Sequence, residues 1–461
     1  MNMKKILLVT ALLLAVLLSA CGQEVQPAQP PVVETEAPTE PPAVEIGGTT
    51  VDRKTAELDL SDGKYMLDML LEAAPQLDAL TRIDLGVTQL NAAQMEQLQG
   101  AFPDAEITYE VDLFGQRLSA QTEILDLSAV AAADLEAALE KLPLLTGLQQ
   151  ISFVSEEDVC AVTVADIPVL DKIREVLPEV AMKVKFELFG QTVTSEDERI
   201  EYFRVPIGNE GVETVRAVLP YLSSCTYLLM DGCDVDYEVM AQLREDFRSQ
   251  TKVVWRVWVR EPYYESKKVL RWASFLTDTH RIRTVLVNDK NSGVLKYCEE
   301  TKYVDFGHND RISDFSFLGY MPDLEVALLC LTGIEDLTPL MNCPNLEYLE
   351  VFTTDVADLS PLAACTNLQH LNISNMKNVK DITPLYGLKN LKRLRITTTT
   401  KVPKEQVEEI KALLPDCDVM TAGWDPTENG WRYDEKHNKV PRYALLKEQL
   451  EYAIDAKYGI P

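Results

Sequence analysis

Apolar residues recur with a period close to 22 along residues 312–396. Four consecutive segments open at Ile312, Ile334, Val356 and Val379, which are 22, 22 and 23 residues apart. In each segment an aspartate two positions after the opening and a leucine twelve positions after it keep the same step. A fixed period with leucines at constant offsets indicates a solenoid, in which each unit buries its apolar face only by stacking on its neighbours.

A longer alternation of strands and helices precedes this array, between residues 57 and 259. Its helices end in the same pattern. The last apolar residue of each helix is preceded by apolar residues seven and four positions earlier, and proline commonly follows it. This spacing places three apolar groups on one helical stripe, and proline stops the helix after it. The endings are at Ala74, Phe102, Leu142, Leu177, Leu219, Phe247 and, beyond the array, Leu414. Their recurrence on both sides of the array predicts one continuous solenoid.

Short strand-like runs lie between these helices. They are ELDLS (57–61), TRIDLG (81–86), EILDLS (123–128), RIEYFRV (199–205) and TYLLMDG (226–232). Alternation of strands with helices predicts parallel pairing. Longer runs at 111–119, 186–194 and 252–262 follow every second helix. The glycine of the LFGQ tetrapeptide in the first two runs predicts protruding hairpins.

The array phrases DLTPL (336–340) and DLSPL (358–362) resemble the internalin-type leucine-rich repeats of bacterial surface proteins. The resemblance implies an α/β leucine-rich-repeat-like solenoid, with parallel strands on its concave side and helices or short turns on its convex side. It also implies that a ligand, often a protein, binds the concave face. The family's asparagine ladder is altered, because its positions here hold Asn309, Thr332, Thr354 and either Asn375 or Met376.

The N-terminus resembles a bacterial lipoprotein signal. Two lysines precede thirteen largely apolar residues, 6–18, a run shorter than the roughly 20 residues that span a bilayer. The motif LSAC (18–21) ends this run, and the resemblance implies that residues 1–20 are removed and that Cys21 carries the lipid. A cleaved secretory signal with an incidental cysteine is the alternative. Residues 21–46 hold six prolines, five glutamates and no lysine or arginine, which predicts a disordered stalk.

Five segments are therefore predicted, and the lipid would anchor the protein to the extracytoplasmic face of the cell membrane. They are a lipoprotein signal peptide (1–20), a stalk (21–46), long strand–helix repeats with hairpins (47–298), the 22-residue array with a closing helix and strand (299–422), and a C-terminal tail predicted to cap the last repeat (423–461). Without its first twenty residues the chain has 42 basic and 73 acidic residues, a net charge of −31. Such a surface repels nucleic acid, so a nucleic-acid partner is excluded.

The concave face is the main candidate for partner binding. If Leu349, Leu371 and Leu394 point into the core, alternate strand positions point outward. The outward side chains run from aromatic and apolar groups to arginine, which indicates a protein-binding site. They are Tyr303, Val326, Leu328, Tyr348, Glu350, Phe352, His370, Asn372, Arg393 and Arg395. The sequence also allows the tail or a hairpin to cover them, or the strand at Val326 to take the other register.

The third hairpin-like run is a second candidate site. Trp255, Arg256, Trp258 and Arg260 alternate aromatic and cationic side chains, which could grip a peptide or a glycan. A packed hairpin without a ligand explains the same residues.

No catalytic motif is present. The sequence lacks GxSxG, GxGxxG, phosphate-loop and HExxH patterns, and it has no CxxC pair, so no metal site and no cofactor are predicted. Cys343 and Cys365 share a repeat offset with apolar residues and are predicted to be core side chains, with a disulfide as the alternative. The acidic groups at 231–238 and 425–434 lack EF-hand spacing and are expected to be solvated loops rather than calcium sites.

The function predicted from the sequence is binding of a protein or envelope ligand at the membrane surface, without catalysis. Two alternatives are a structural scaffold of the cell envelope and an extracellular hydrolase or substrate-binding lipoprotein. The last has no motif in its favour.

Overall fold

The computed structural model describes residues 43–260, 272–397 and 401–452. The predicted signal peptide, Cys21 and the predicted stalk up to residue 42 lie outside the described residues. Residues 43–46 form a strand, and its last residue, Ile46, is fully buried. These four residues therefore belong to the folded part of the chain rather than to the stalk.

The long-repeat region consists of parallel strand groups that end in antiparallel hairpins. Its strands are β1 (Ala43–Ile46), β2 (Thr49–Asp52), β3 (Glu57–Asp59), β4 (Arg82–Thr88), β5 (Glu106–Leu113), β6 (Gln116–Ser119), β7 (Ile124–Asp126), β8 (Gln150–Ser152), β9 (Ala181–Lys183), β10 (Lys185–Leu188), β11 (Gln191–Thr194), β12 (Arg199–Phe203), β13 (Tyr227–Asp231), β14 (Lys252–Arg260) and β15 (Trp272–Leu276). The parallel groups are β3-β4-β5, β7-β8-β9 and β12-β13-β14. The hairpins are β1-β2, β5-β6, β10-β11 and β14-β15. The hairpins predicted at 111–119 and 186–194 are confirmed. The third predicted run is instead a single strand as far as Arg260, and its partner β15 lies beyond that run.

Helices on the other side of the core connect these strands. They are α1 (Leu67–Ala73), α2 (Ala92–Ala101), α3 (Ile167–Val176), α4 (Gly208–Val218) and α5 (Tyr237–Phe247). One predicted α-helix is instead a 3-10 helix, Ala132–Ala138. The residue before it, Ala131, offers no side-chain acceptor to the free N–H groups of a first turn, whereas Asn91 caps α2 by accepting from the N–H of Gln94 at 2.9 Å.

The array is a seven-stranded parallel sheet whose strands follow one another in sequence order. They are β16 (Arg281–Arg283), β17 (Tyr303–Asp305), β18 (Val326–Leu328), β19 (Tyr348–Glu350), β20 (His370–Asn372), β21 (Arg393–Arg395) and β22 (Asp418–Met420). The register pairs Tyr303 with Val326 and continues through Tyr348 and His370 to Arg393, as predicted. The sheet begins at Arg281, so the array starts before the predicted boundary at residue 299.

Short 3-10 helices form the convex side of the array, because a 22-residue unit leaves little chain for anything longer. They are Ser292–Tyr297, Ser316–Tyr320, Thr338–Asn342, Ser360–Ala364 and Thr383–Gly387, and α6 (Lys404–Leu413) follows in the last unit. The repeating aspartate starts each turn: the carboxylate of Asp336 accepts from the N–H of Thr338 at 2.8 Å, and Asp358 does the same for Ser360. The fold is the predicted α/β leucine-rich-repeat-like solenoid.

The altered ladder positions satisfy the backbone in two ways. Asn309 donates across to the carbonyl of Val287 in the preceding unit at 2.6 Å. Thr332 and Thr354 instead donate within their own units, each at 2.7 Å. Met376 is the fourth side chain and is fully buried. The ladder therefore changes along the array from hydrogen bonds between units to hydrogen bonds within them, and finally to apolar packing.

One continuous apolar core runs from Ile46 to Leu414 and includes the array residues Leu349, Leu371 and Leu394. This continuity supports a single solenoid. Cys343 and Cys365 belong to the same core as free thiols, which confirms their predicted packing role. Each thiol lies against a main-chain carbonyl of the preceding unit, at 3.3 Å and 3.4 Å respectively.

Both of these thiols are expected to resist alkylation in the native protein. Burial raises the pKa of Cys343 to about 12 and that of Cys365 to about 11, and only the thiolate reacts. Mass spectrometry after iodoacetamide treatment at neutral pH should find both residues unmodified in the native protein and alkylated after unfolding in guanidinium chloride. Rapid labelling of the native protein, or a disulfide between the two, would contradict this packing.

The tail, residues 423–452, lies across the concave face. It was predicted to cap the end of the last repeat instead. It makes a bridge between Tyr433 and Lys439 and then forms helix α7 (Pro441–Gln449), close to the predicted hairpin and helix. Its apolar side chains form a second core with concave-face residues of the array. No helix within the described ranges is long and apolar enough to serve as a membrane span.

Candidate functional site: the occupied concave face

The predicted concave-face residues point away from the main core, as expected, but they are not exposed. Eight of the ten are buried, each with no more than 9% of its surface accessible, and the other two are half-buried. The buried residues are Val326, Leu328, Tyr348, Glu350, Phe352, His370, Asn372 and Arg395, and the half-buried ones are Tyr303 and Arg393. The predicted exposure is wrong because the tail covers the face, which is the first of the two alternatives that the sequence allowed.

Aromatic and aliphatic side chains form the centre of this contact. Val326, Leu328 and Tyr348 of the sheet pack with tail residues that are themselves buried: Trp431, Tyr443, Leu446 and Leu450. The ring of Trp431 is fully buried, with its centroid 5.7 Å from that of Tyr348. The guanidinium of Arg393 lies 4.5 Å from the centre of the Trp431 ring. Trp431 thus contacts side chains of two strands of the sheet, β19 and β21.

Glu350 is the polar centre of the contact and is fully buried. Its Oε1 accepts hydrogen bonds from the indole N–H of Trp431 at 2.8 Å, from Nε of Arg432 at 3.0 Å and from the hydroxyl of Tyr348 at 2.5 Å. A second guanidinium nitrogen of Arg432 donates to Oε2, so the ion pair is bidentate. Burial by itself would raise the pKa of Glu350, but the charge and hydrogen bonds of Arg432 hold that pKa below its ordinary value.

The surrounding polar side chains of the sheet bind the main chain of the tail. Arg393 donates to the carbonyl of Trp431 at 2.8 Å and also to that of Gly430. Asn372 donates to the carbonyl of Pro426 at 2.9 Å. Arg395 donates to the carbonyl of Asp425 at 2.8 Å. These contacts satisfy backbone groups that burial would otherwise leave unpaired.

The far end of the tail is fixed on the first two strands of the array. The hydroxyl of Tyr452 donates to Asp305 at 2.5 Å, and Glu451 forms an ion pair with Arg281 at 2.6 Å. Burial raises the pKa of Asp305, partly offset by the hydrogen bond from Tyr452. The guanidinium of Arg283 lies 4.2 Å from the centre of the Tyr452 ring. The tail therefore crosses the sheet from β21 back to β16.

His370 lies beneath the tail as a neutral imidazole, and this predicts a measurable acid sensitivity. Burial lowers the pKa of His370 to about 3, and the charges of Arg393, Arg442 and Lys392 lower it in the same direction. The unfolded chain protonates this histidine near pH 6.5. Between that pH and about 3, the unfolded state binds one more proton, so this contribution to stability falls as the pH falls.

A His370→Gln variant should therefore lose stability less steeply below pH 6.5 than the wild type. The difference in slope should reach about 1.4 kcal/mol per pH unit, as expected for one proton. Denaturant titrations at a series of pH values measure it. Equal slopes for the two proteins would show that His370 is accessible to protons in the folded state.

The four residues of the second candidate site have different environments in the structure. Trp255 is buried and contacts Tyr297 with ring centroids 5.6 Å apart, so it is a core residue. Arg256 forms a bidentate pair with Asp231 at 2.9 to 3.0 Å. Trp258 is half-buried, as is Arg256, and Arg260 is exposed. All four line an open cleft of about 570 Å³ between β14 and the loop after β13, and ligand binding there stays a prediction.

The acidic segments make ordinary protein contacts. Asp231 pairs with Arg256, and Asp434 accepts hydrogen bonds from the N–H groups of Lys436 and Asn438 in its own turn. Among the described residues, no group of histidine, cysteine, aspartate or glutamate side chains is arranged to hold a metal ion.

Sequence reasoning missed the tail's half of the site: Trp431, Arg432, Tyr443 and Tyr452. Two signals in the sequence could have found it. The tail carries many aromatic residues although it lies outside the repeats. Glu350 has Leu328 and Asn372 at the same offset in the adjacent repeats, so neither neighbouring repeat supplies a cation beside it at that offset.

Comparisons with known proteins give structural likeness only. No protein-family model and no curated protein matches the sequence. Among solved structures, an internalin C2 of Listeria monocytogenes is similar over 63% of this chain and 92% of its own, with 19% identity and a TM-score of 0.29. An internalin, InlF, of the same organism covers 79% and 94% at 14% identity and a TM-score of 0.28. A leucine-rich-repeat protein of Leptospira interrogans covers 75% and 90% at 15% identity and a TM-score of 0.26. At such values the fold assignment rests on the strand order and register of this chain, and no function follows from the likeness.

Proposed function

We propose that this chain is a membrane-anchored, extracytoplasmic leucine-rich-repeat protein that binds a protein or envelope ligand and performs no chemistry. The observation that carries the proposal is that the concave face holds a polypeptide segment, the chain's own tail. Side chains of the sheet receive a tryptophan, pair with an arginine and donate to main-chain carbonyls. These are the contacts by which a protein surface recognises a peptide.

On this proposal, the tail occupies the ligand-binding site. A partner reaches the concave face by taking the place of the tail, since the sheet residues beneath it are buried. Release of the tail would expose Val326, Leu328 and Tyr348 as one apolar surface, and apolar surfaces of this kind are typical of interfaces.

Chemical cross-linking and mass spectrometry on intact cells test this proposal. A variant that releases the tail, Trp431→Ala combined with Arg432→Ala, should yield more cross-links between array residues and a partner than the wild type does. A Trp424→Ala variant is the control, because Trp424 belongs to the tail but is 79% exposed. If neither protein cross-links to any partner through the array, the proposal is wrong.

The membrane anchor is proposed from Cys21 and the motif before it, with their lipoprotein resemblance. Acyl chains stabilise membrane attachment by about 0.8 kcal/mol per buried methylene, so loss of the lipid should abolish attachment. We expect Cys21→Ala to move the protein from the membrane fraction to the soluble fraction, measured by immunoblotting after ultracentrifugation. Retention of the variant in the membrane fraction would contradict lipid anchoring at this residue.

A further inference from the structure

We infer that the concave face selects segments in which an aromatic residue is followed directly by an arginine, and that the partner it fits is a protein exposing such a segment. The inference rests on the proposed function, because it names the chemistry of the ligand at the same site. Trp431 and Arg432 of the tail show that chemistry in the bound state.

The aromatic requirement follows from the pocket around Trp431. Tyr348 lies beside the ring and Arg393 lies against it, at 5.7 Å and 4.5 Å between centres. Glu350 orients the indole, because its carboxylate accepts a hydrogen bond from the indole N–H at 2.8 Å. With an aliphatic side chain in place of Trp431, Glu350 would lose one hydrogen-bond donor and Arg393 would lose its cation–π contact.

The arginine requirement follows from the burial of Glu350. Its carboxylate is fully buried and has no cationic partner on the sheet at ion-pair distance among the described residues, so the bound segment must bring the cation. Arg432 reaches both carboxylate oxygens with two nitrogens, a geometry that a lysine ammonium does not reproduce. A segment with a neutral side chain there would bury an unpaired charge, so the site rejects it.

The remaining contacts place little constraint on the sequence of the bound segment. Arg393, Asn372 and Arg395 donate to main-chain carbonyls, which every peptide has. The division resembles other peptide-recognition modes, in which main-chain hydrogen bonds give affinity and side-chain pockets give specificity. An aromatic–arginine pair is therefore the part of the segment that the face discriminates.

The tail competes with any such segment from within the same molecule. A tethered segment of this length acts at an effective concentration on the order of millimolar, so a free peptide cannot displace it at micromolar concentration. At micromolar peptide concentration, the selectivity should therefore be measurable only when Trp431 and Arg432 of the tail are substituted.

The test uses the full chain with Trp431→Ala and Arg432→Ala, and a fluorescein-labelled peptide with the sequence of residues 425–440. Fluorescence anisotropy should show that the double variant binds the peptide at least about a hundredfold more tightly than the wild type. Arginine-to-lysine or arginine-to-alanine substitution in the peptide should weaken binding by at least about tenfold. Adding Glu350→Gln to the double variant should remove the preference for arginine. A full chain with Trp424→Ala and Lys436→Ala, both at exposed tail positions, is the matched control and should bind no better than the wild type.

Equal binding of the arginine and alanine peptides by a folded double variant, or no binding of either, overturns the inference. If the double variant does not fold, the wild type is used with millimolar peptide that carries a photoreactive residue at the tryptophan position. Cross-links to residues 348–372 then support the inference, and their absence overturns it. Peptide selectivity without any cellular partner contradicts only the proposed function, whereas a cellular partner without peptide selectivity contradicts only this inference.

Discussion

The Glu350→Gln variant is expected to hold its tail on the concave face about 3–5 kcal/mol less tightly than the wild type does. The substitution keeps the shape of the side chain but removes its charge, which leaves Arg432 in a site where only 15% of its side chain reaches solvent. A buried charge without its partner costs far more than the net stability that the intact pair provides. If the solenoid stays folded when the tail leaves the face, the loss cannot exceed the free energy of docking.

Trypsin measures this release directly, because Arg432 and Arg442 are cleavage sites that docking shields. The variant should be cut after Arg432 and Arg442 at far lower protease concentration than the wild type, whereas the exposed Lys436 and Lys439 are open to cleavage in both proteins. Glu335→Gln is the matched control: it lies in the same array and also removes one negative charge, but its side chain is exposed. Equal digestion of the Glu350→Gln variant and the wild type would show that the ion pair does not hold the tail.

The Trp431→Ala variant is expected to lose a similar amount, about 3–5 kcal/mol of docking free energy, through a different cause. The fully buried indole fills the space beside Tyr348, and its removal leaves a cavity that the stiff sheet cannot close. It also removes one of the hydrogen bonds to Glu350. Detachment of the tail would expose Val326, Leu328 and Tyr348, so the variant should bind the dye ANS where the wild type does not.

Trp424→Ala supplies the comparison for this variant. Trp424 precedes the docked part of the tail and is 79% exposed, so its removal should change stability by no more than about 0.5 kcal/mol. If the two tryptophan variants bind ANS and unfold alike, the difference in burial between these residues does not exist in solution.

The regular part of the fold could be predicted because one residue type recurs at one offset. Leu324, Leu346, Leu368 and Leu391 all lie in the core, and the spacing alone placed each of them. The boundary at β16 could not be predicted in the same way. Its unit lacks the repeated phrase, and its place in the sheet depends on hydrogen bonds between Arg281–Arg283 and Tyr303–Asp305.

The second candidate site shows a limit that the sequence itself could have corrected. Side chains of a strand alternate between its two faces, so Trp255 cannot share a face with Arg256, Trp258 and Arg260. The structure places Trp255 in the core and leaves Trp258 and Arg260 on the other side.

The covered concave face could not be derived from any local pattern. Glu350 and Trp431 are 81 residues apart, and neither belongs to a motif that points to the other. Orientation followed from the alternation of strand side chains, whereas exposure depended on where a non-repeating segment folds back. Such a contact is decided by the complementarity of one pocket and one charge, which a periodic pattern does not encode.

Hydrogen–deuterium exchange of the full-length wild-type protein measures directly whether the tail is docked on the concave face. Two tail amides illustrate the expected protection. The N–H of Arg432 donates to the carbonyl of Thr427 at 2.7 Å, and the N–H of Leu450 donates to that of Leu446 at 2.9 Å. Both are protected from exchange only if the tail is docked. A nine-residue helix such as α7 is marginal on its own in water. We expect slow exchange across residues 425–450 in the wild type and fast exchange there in the Glu350→Gln variant. Exchange within seconds in the wild-type tail, while the array strands remain protected, would show that the tail is not docked on the concave face.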